Sequence, residues 1–240
     1  MALPKIDVPV YDLTLPLSKK NIKFRPFLVK EQRNLLMALQ ADDAQTIEQN
    51  IRQVLVNCTV GEVEIDDLPI TDVEYYFLQL RARSVGEVVQ NKYKCNNEVN
   101  DKECGNIMDV EVNLLDIKVQ TNPDNKDVVQ INDKISIKLH YPKFNVVKKF
   151  DKMDSVSDMA LDMIVSSIDW IYDGDQYYYA KETSPEELLE FVETLNQEQF
   201  TRLESFFESL PKLNKQVQMK CNKCGFDHSI DVEGLESFFA

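Results

Sequence analysis

Tyr93-Lys94-Cys95 and Cys104-Gly105-Asn106-Ile107-Met108-Asp109-Val110 form the first half of a pattern that returns at Met219-Lys220-Cys221 and Cys224-Gly225-Phe226-Asp227-His228-Ser229-Ile230. In each half an alternating strand enters, two cysteines bracket a turn, a glycine follows and a second strand leaves. The arrangement predicts two metal-binding hairpins. Thiolates on facing hairpin turns hold Zn2+ tetrahedrally at about 2.3 Å. Glycine after the second cysteine permits the positive φ that turns backbone amides toward the sulfurs. Cys95, Cys104, Cys221 and Cys224 are therefore the candidate ligands of a structural Zn2+ site with no open position for catalysis. Such a site would pin the middle of the chain to a segment more than a hundred residues away.

Two other chemistries use paired cysteines. Disulfides require an oxidising compartment, and the opening Met1-Ala2-Leu3-Pro4-Lys5 lacks the apolar run that export needs, so a reduced cytoplasmic protein is the expectation. A redox pair at Cys221 and Cys224 would sit where a strand meets a helix, whereas these lie between the strand-like runs Gln216 to Lys220 and His228 to Val232. The loop from Asn96 to Glu103 is longer than a standard metal knuckle and suits an exposed excursion. His228 is a further candidate ligand, against an ordinary strand residue beside a site that four thiolates already fill. Cys58 ends the apolar run Ile51 to Cys58 and reads as buried packing.

The 240 residues, 43% of them hydrophobic, suffice for a core and one or two globular units. No apolar run approaches the roughly 18 to 20 residues of a bilayer span. With 41 acidic against 27 basic residues the net charge is −14, which repels a phosphate backbone and argues against generic nucleic-acid binding. The charge is uneven. Residues 1–40 carry Lys5, Lys19, Lys20, Lys23, Arg25, Lys30 and Arg33 against Asp7, Asp12 and Glu31, a balance of +4 that leaves −18 for the rest. A basic end on an acidic body favours docking on protein surfaces of matching charge; the alternative is a solvated hairpin edge, where lysines discourage strand pairing.

Periodicity divides the chain. Val8 to Leu15 and Ile22 to Leu28 predict a β-hairpin, followed by helices from Val29 with a Leu35, Leu36, Leu39 stripe, from Ala44 to Asn57, and from a capping box at Thr71-Asp72-Val73-Glu74. Val88 to Tyr141 is strand-rich, with Val128 to His140 alternating so that Ile131, Ile135, Ile137 and Leu139 line one face. From Phe144 to Leu210 helices return, capped at Ser155 or Ser157, at Ser184-Pro185-Glu186-Glu187 and at Asn196. Within them Ile168 to Ala180 predicts a hairpin around Asp173-Gly174-Asp175, with Trp170 and three consecutive tyrosines packing across strands or facing a partner. The expected fold is α+β, with an N-terminal hairpin-plus-helices domain (1–87), a strand-rich zinc-ribbon-like module (88–143 and 214–240) and an inserted helical segment (144–213). If metal closes the loop around that insertion, chelation should loosen the C-terminal third first.

Catalytic signals are sparse. The chain has two histidines and six glycines, and it lacks a Gly-rich phosphate loop, a Gly-x-Ser-x-Gly elbow and a His-Glu-x-x-His helix. Acidic pairs such as Asp66-Asp67 and Glu186-Glu187 suit solvated faces and caps, and Asp173-Gly174-Asp175 suits a turn. The expectation is a protein without enzymatic activity.

Phe24-Arg25-Pro26-Phe27, Val29-Lys30-Glu31 and Leu35-Leu36 carry a more specific signal, joined by Ala2-Leu3-Pro4-Lys5-Ile6 and Leu15-Pro16. Over about forty residues the chain resembles the T4-like bacteriophage baseplate hub assembly proteins, with Gln32 where their pattern has a second Glu. The resemblance implies a viral protein made in the bacterial host cytoplasm. It would assemble the central hub of a contractile-tail baseplate through contacts with other hub proteins, and either stay in the virion or leave after assembly. Under it, Arg25, Lys30 and Arg33 would contribute to docking, with an intrachain pair between Arg25 and Glu31 as the alternative for Arg25. The competing function is a cytoplasmic zinc-ribbon adaptor in nucleic-acid metabolism. Against it, the hairpins carry Asn97, Glu98, Asp101, Glu103, Asp109 and Asp227, which their lysines only partly offset.

Overall fold

Alternation with a period of two builds the first hairpin, in which β1 (Tyr11–Thr14) pairs antiparallel with β2 (Asn21–Phe24) and turns Ile22 and Phe24 inward. The computed structural model describes residues 6–40, 44–150 and 155–233, so the Ala2 to Lys5 part of the N-terminal motif lies outside the described residues. The period then lengthens into α1 (Val29–Gln40) and α2 (Ala44–Cys58), and β3 (Thr59–Val60) adds to the free edge of β2. α1 turns Glu31, Leu35 and Ala38 inward. That spacing puts Leu36 on the opposite side, 53% exposed, so the expected leucine stripe is split; the Leu39 side chain lies outside the described residues. α3 (Ile70–Ser84) contributes Tyr76, whose ring meets Phe24 edge-on at 5.5 Å.

α3 starts one residue earlier than Thr71 and without the expected capping box. The Ile70 amide donates to the Pro142 carbonyl at 3.0 Å, and the Thr71 hydroxyl donates to the Pro211 carbonyl at 2.9 Å. Backbone from elsewhere satisfies the helix start, so the hydroxyl is free to bond outward.

β4 (Val88–Lys94) runs into a small hairpin of β5 (Glu98–Val99) and β6 (Lys102–Glu103), and β7 (Ile107–Asn113) returns along β4 from Lys94↔Ile107 to Val88↔Asn113. Asn100 and Asp101, both with positive φ, make the tip of the inner hairpin. β8 (Lys118–Gln120) follows. Val89, Val110, Val112, Leu114 and Ile117 form one buried cluster with Leu78 and Ala82 of α3.

The run from Val128 to His140 folds back on itself where a single alternating strand was expected. β9 (Val128–Gln130) and β10 (Ser136–Leu139) are antiparallel, turned by Asn132, whose carboxamide oxygen accepts the Lys134 and Ile135 amides at 2.9 and 2.8 Å. α4 (Val147–Phe150) and α5 (Val156–Ser166) come next, α5 capped by Ser155, before β11 (Ile168–Tyr172) and β12 (Tyr177–Tyr179). The sheet order is β12-β11-β10-β9. The strands at 128–139, expected with the cysteine-bearing module, therefore pair with β11 instead. Asp173 closes the β11–β12 turn by accepting the Asp175 and Gln176 amides, each at 2.9 Å. Trp170, Tyr172, Tyr177 and Tyr179 share the face opposite buried Ile171 and pack against one another across the strands, while Tyr177 stays 51% exposed. α6 (Pro185–Glu193) and α7 (Gln197–Glu208) begin with complete capping boxes at Ser184 and Asn196. They bury Leu188, Val192, Leu203 and Phe206 against Ile131, Ile137 and Leu139.

β13 (Lys212–Lys220) and β14 (Asp227–Glu233) close the described chain as a long antiparallel hairpin, and β13 also pairs with β8. Two units result: one from residues 1–63, 74–120 and 212–240, the other from 64–73 and 121–211. Mixed helix and sheet agree with the α+β expectation. No described helix is long and apolar enough to cross a membrane.

Burial raises the Glu74 carboxyl to about 7, and Glu74 has no partner among the described residues. Between the ordinary carboxylate range and that value the folded chain keeps a proton that the unfolded chain has released. Stability from this site therefore falls as pH rises through the window and is flat above it. Glu74→Gln should stabilise the protein by about 1 to 2 kcal/mol at pH 8 and leave it unchanged at pH 4. Denaturant midpoints at the two pH values measure this; an equal effect at both would clear Glu74 of responsibility.

Candidate metal centre

Two hairpins of the first unit present the four predicted cysteines to one another. In the first, the Cys95 amide donates to the Asn106 carbonyl at 2.7 Å and the Gly105 amide to the Cys95 carbonyl at 3.0 Å. In the second, the Cys221 amide donates to the Phe226 carbonyl and the Gly225 amide to the Cys221 carbonyl, both at 2.8 Å. Gly105 and Gly225 have φ of 62° and 76°, the left-handed geometry expected of the residue after the second cysteine. The inner hairpin between Cys95 and Cys104 accommodates the long loop without disturbing this closure, since the Cys104 amide still reaches the Asn97 carbonyl at 2.8 Å.

The sulfurs meet across the hairpins. Cys95 Sγ lies 3.7 Å from Cys224 Sγ, Cys104 Sγ lies 3.9 Å from Cys221 Sγ, and all four fall within 4.8 Å of one another. A tetrahedron with metal–sulfur bonds of about 2.3 Å has edges of about 3.8 Å, whereas a disulfide brings sulfurs to about 2.0 Å. The separations match the first and exclude the second. Cys95, Cys104 and Cys221 are buried and Cys224 is half-buried, and Met108, Tyr93 and Met219 pack around them. Burial pushes the Cys95 thiol up to about 12, whereas the Cys224 amide, working against burial and helped by the Lys223 amide, draws Cys221 down to about 6. Four thiols at this spacing could hold a metal ion and are compatible with zinc.

Side-chain donors surround the cluster. His228, 6% exposed on β14, places Nε2 3.1 Å from Cys95 Sγ. Asn97 Nδ2 donates to Cys224 Sγ at 3.6 Å, Asn106 Nδ2 to Cys221 Sγ at 3.5 Å, and Lys223 Nζ to the Cys104 carbonyl at 2.9 Å. Sequence reasoning missed the asparagines and Lys223. The available signal was the recurrence of Asn within two residues of a cluster cysteine, at Asn96, Asn97, Asn106 and Asn222.

Residues 8–240 match a family model described as T4 bacteriophage base plate protein. The chain belongs to this family. Over 230 residues it is 25% identical to the baseplate hub assembly protein gp26 of Enterobacteria phage T4, a match covering 95% of this chain and 97% of that protein. No solved structure gives a significant match. The likeness first carried by Phe24 to Leu36 thus extends over almost the whole length, and the protein has a structural or assembly role in a phage baseplate. The nucleic-acid adaptor finds no support among these relatives.

The three basic residues singled out in this baseplate protein occupy different environments. Arg25 is turned into the chain, bonding Glu31 Oε1 at 3.0 Å and the Pro26 and Asn57 carbonyls at 2.9 and 3.0 Å. Glu31 is 1% exposed and also accepts the Leu28 amide at 2.7 Å. Its burial alone would raise the carboxyl, but Arg25 and the Leu28 amide overcome this and hold it below the ordinary carboxylate range. Lys30 reaches Glu31 at 3.5 Å from an exposed position, and Arg33 is exposed with no partner among the described residues. Arg25→Met leaves the buried carboxylate with only the Leu28 amide and the exposed Lys30 ammonium and should cost about 3 kcal/mol. Lys30→Ala and Arg33→Ala should each stay within about 0.5 kcal/mol. Chemical denaturation of the three variants measures the contrast, and a harmless Arg25→Met would refute the interior role of the guanidinium.

Proposed function

We propose that this baseplate protein is a zinc-stapled scaffold that docks onto other baseplate hub subunits through the outward face of α1. The observation that carries the proposal is the convergence of four thiols, from segments 117 or more residues apart, to within 4.8 Å of one another. Zn2+ bound by Cys95, Cys104, Cys221 and Cys224 would tie the β4–β7 hairpin to the β13–β14 hairpin, making a ribbon-like module. Structural zinc contributes on the order of 10 kcal/mol to the folding of small peptides, and a fraction of that would keep the two hairpins docked. The free thiols suit assembly in the reducing host cytoplasm, and family membership favours a place in the virion tail baseplate.

Docking follows from the second face of α1. Val29, Arg33, Leu36 and Met37 fall at helical spacing on the side away from Leu35 and Ala38, and Val29 is 81% exposed. With Lys30 beside it, this apolar and basic stripe fits a hub protein that offers apolar side chains rimmed by carboxylates. Arg25, the third basic candidate, would support docking indirectly by fixing the start of α1 through Glu31.

Two experiments test the reading. Stripping metal with a chelator should expose new protease sites in residues 95–113 and 212–233 before any in 121–211, and identical digestion patterns with and without chelator would count against the staple. Lys30→Glu combined with Arg33→Glu should weaken co-purification with hub proteins from infected cells while leaving the melting temperature within a degree or two. Undiminished co-purification would reduce the basic stripe to a solvated surface.

A further inference from the structure

His228 is the buried titratable side chain nearest the cysteine cluster, and two of its features fix its role. The first is distance. Were His228 and Cys95 both ligands of one tetrahedral zinc, with Zn–N of about 2.0 Å and Zn–S of about 2.3 Å, their donor atoms would stand about 3.5 Å apart. The observed 3.1 Å is shorter than that separation and within hydrogen-bonding reach of the sulfur. His228 Nε2 also falls outside the group of atoms that lie within 4.8 Å of one another, which contains the four sulfurs alone. The second feature is the mounting. The imidazole is held edge-on between Tyr93 at 5.3 Å and Phe226 at 4.9 Å, while β14 fixes its backbone opposite Met219. Among the described residues Nδ1 has no partner, and the tautomer with hydrogen on Nε2 would place a donor at the sulfur.

A tetrathiolate zinc centre carries two net negative charges, and three of its four ligands here are buried. Charge in such a position requires donors around it. They are present one per sulfur for three of the four: His228 for Cys95, Asn97 for Cys224 and Asn106 for Cys221. For the fourth, Cys104, the Lys223 ammonium sits on the carbonyl of the same residue.

We propose that His228 is a positioning residue of the metal centre, donating from Nε2 to the Cys95 thiolate as the most buried member of a donor shell completed by Asn97, Asn106 and Lys223. The inference rests on the zinc reading above and assigns His228 outside the ligand set. Its loss should leave the stoichiometry intact and shorten the residence of the metal, since removing such outer donors typically costs about 10- to 100-fold in affinity.

The test uses the full-length protein in three forms: wild type, His228→Phe and His228→Gln, the last keeping an amide N–H near the position of Nε2. Metal content is measured by elemental analysis, release by zinc transfer to a chromogenic chelator, and ligand identity by the visible and near-ultraviolet spectrum of the Co2+-substituted protein. All three forms should hold one metal per chain with a four-thiolate cobalt spectrum. His228→Phe should release zinc about 10-fold or more faster, and His228→Gln should recover most of the difference. Equal release from wild type and His228→Phe would overturn the proposal, as would a wild-type cobalt spectrum of three thiolates and one nitrogen. A wild-type protein without metal would overturn the zinc reading and this inference with it, an outcome the elemental analysis separates from the other two.

Discussion

The close approach of four thiols governs the first unit. Its two cysteine-bearing hairpins are separated by more than a hundred residues, and their strands lie in different sheets, β4 with β7 and β13 with β14 and β8. Closing a loop of that length costs about 4 to 5 kcal/mol in chain entropy. The apolar cluster of Val89, Val110, Val112 and Leu213 works toward the same closure. At the cluster itself Met108, Tyr93 and Met219 pack around the cysteines of the two turns. Both turns bend through a glycine of positive φ and close with the same pair of backbone hydrogen bonds, so each presents its sulfurs without strain.

Local signals in the sequence were read well. The capping boxes at Ser184 and Asn196, the Ser155 cap and the Asp173 turn all form where the residues place them, because each is decided by atoms within a few positions along the chain. Reading failed where the deciding partner is distant or where one signal masks another. Thr71 looks like a cap, yet the Pro142 carbonyl accepts the Ile70 amide at the helix start and the Thr71 hydroxyl donates to the Pro211 carbonyl instead. The alternation from Val128 to His140 hides a turn at Asn132, because Ile131 and Ile135 keep the apolar rhythm on either side of it. At the metal centre the cysteine spacing was sufficient to name the four residues that converge. The donor shell was not legible, since Asn97 and Asn106 reach sulfurs of the opposite hairpin and only the tertiary structure sets that pairing.

Charge at the N-terminal end divides by burial. Arg25 and Glu31 form an interior couple that joins the end of β2, the start of α1 and the end of α2 through four hydrogen bonds of the guanidinium. Lys30 and Arg33, a few positions away, face outward beside exposed apolar side chains. One short stretch thus holds charged residues in unlike environments. Arg25 holds the element together, while Lys30 and Arg33 are exposed to solvent.

The discontinuity of the first unit also bears on its birth at the ribosome. Cys221 follows Cys104 by 117 residues, and at roughly 5 to 20 residues per second the earlier hairpin waits roughly 6 to 23 s for its counterpart to emerge. During that interval β8 lacks the β13 edge it will pair with, and Cys95 and Cys104 are only half of the thiol cluster. A truncated translation product that ends before Lys212 would lack both the β13 edge and the second pair of thiols.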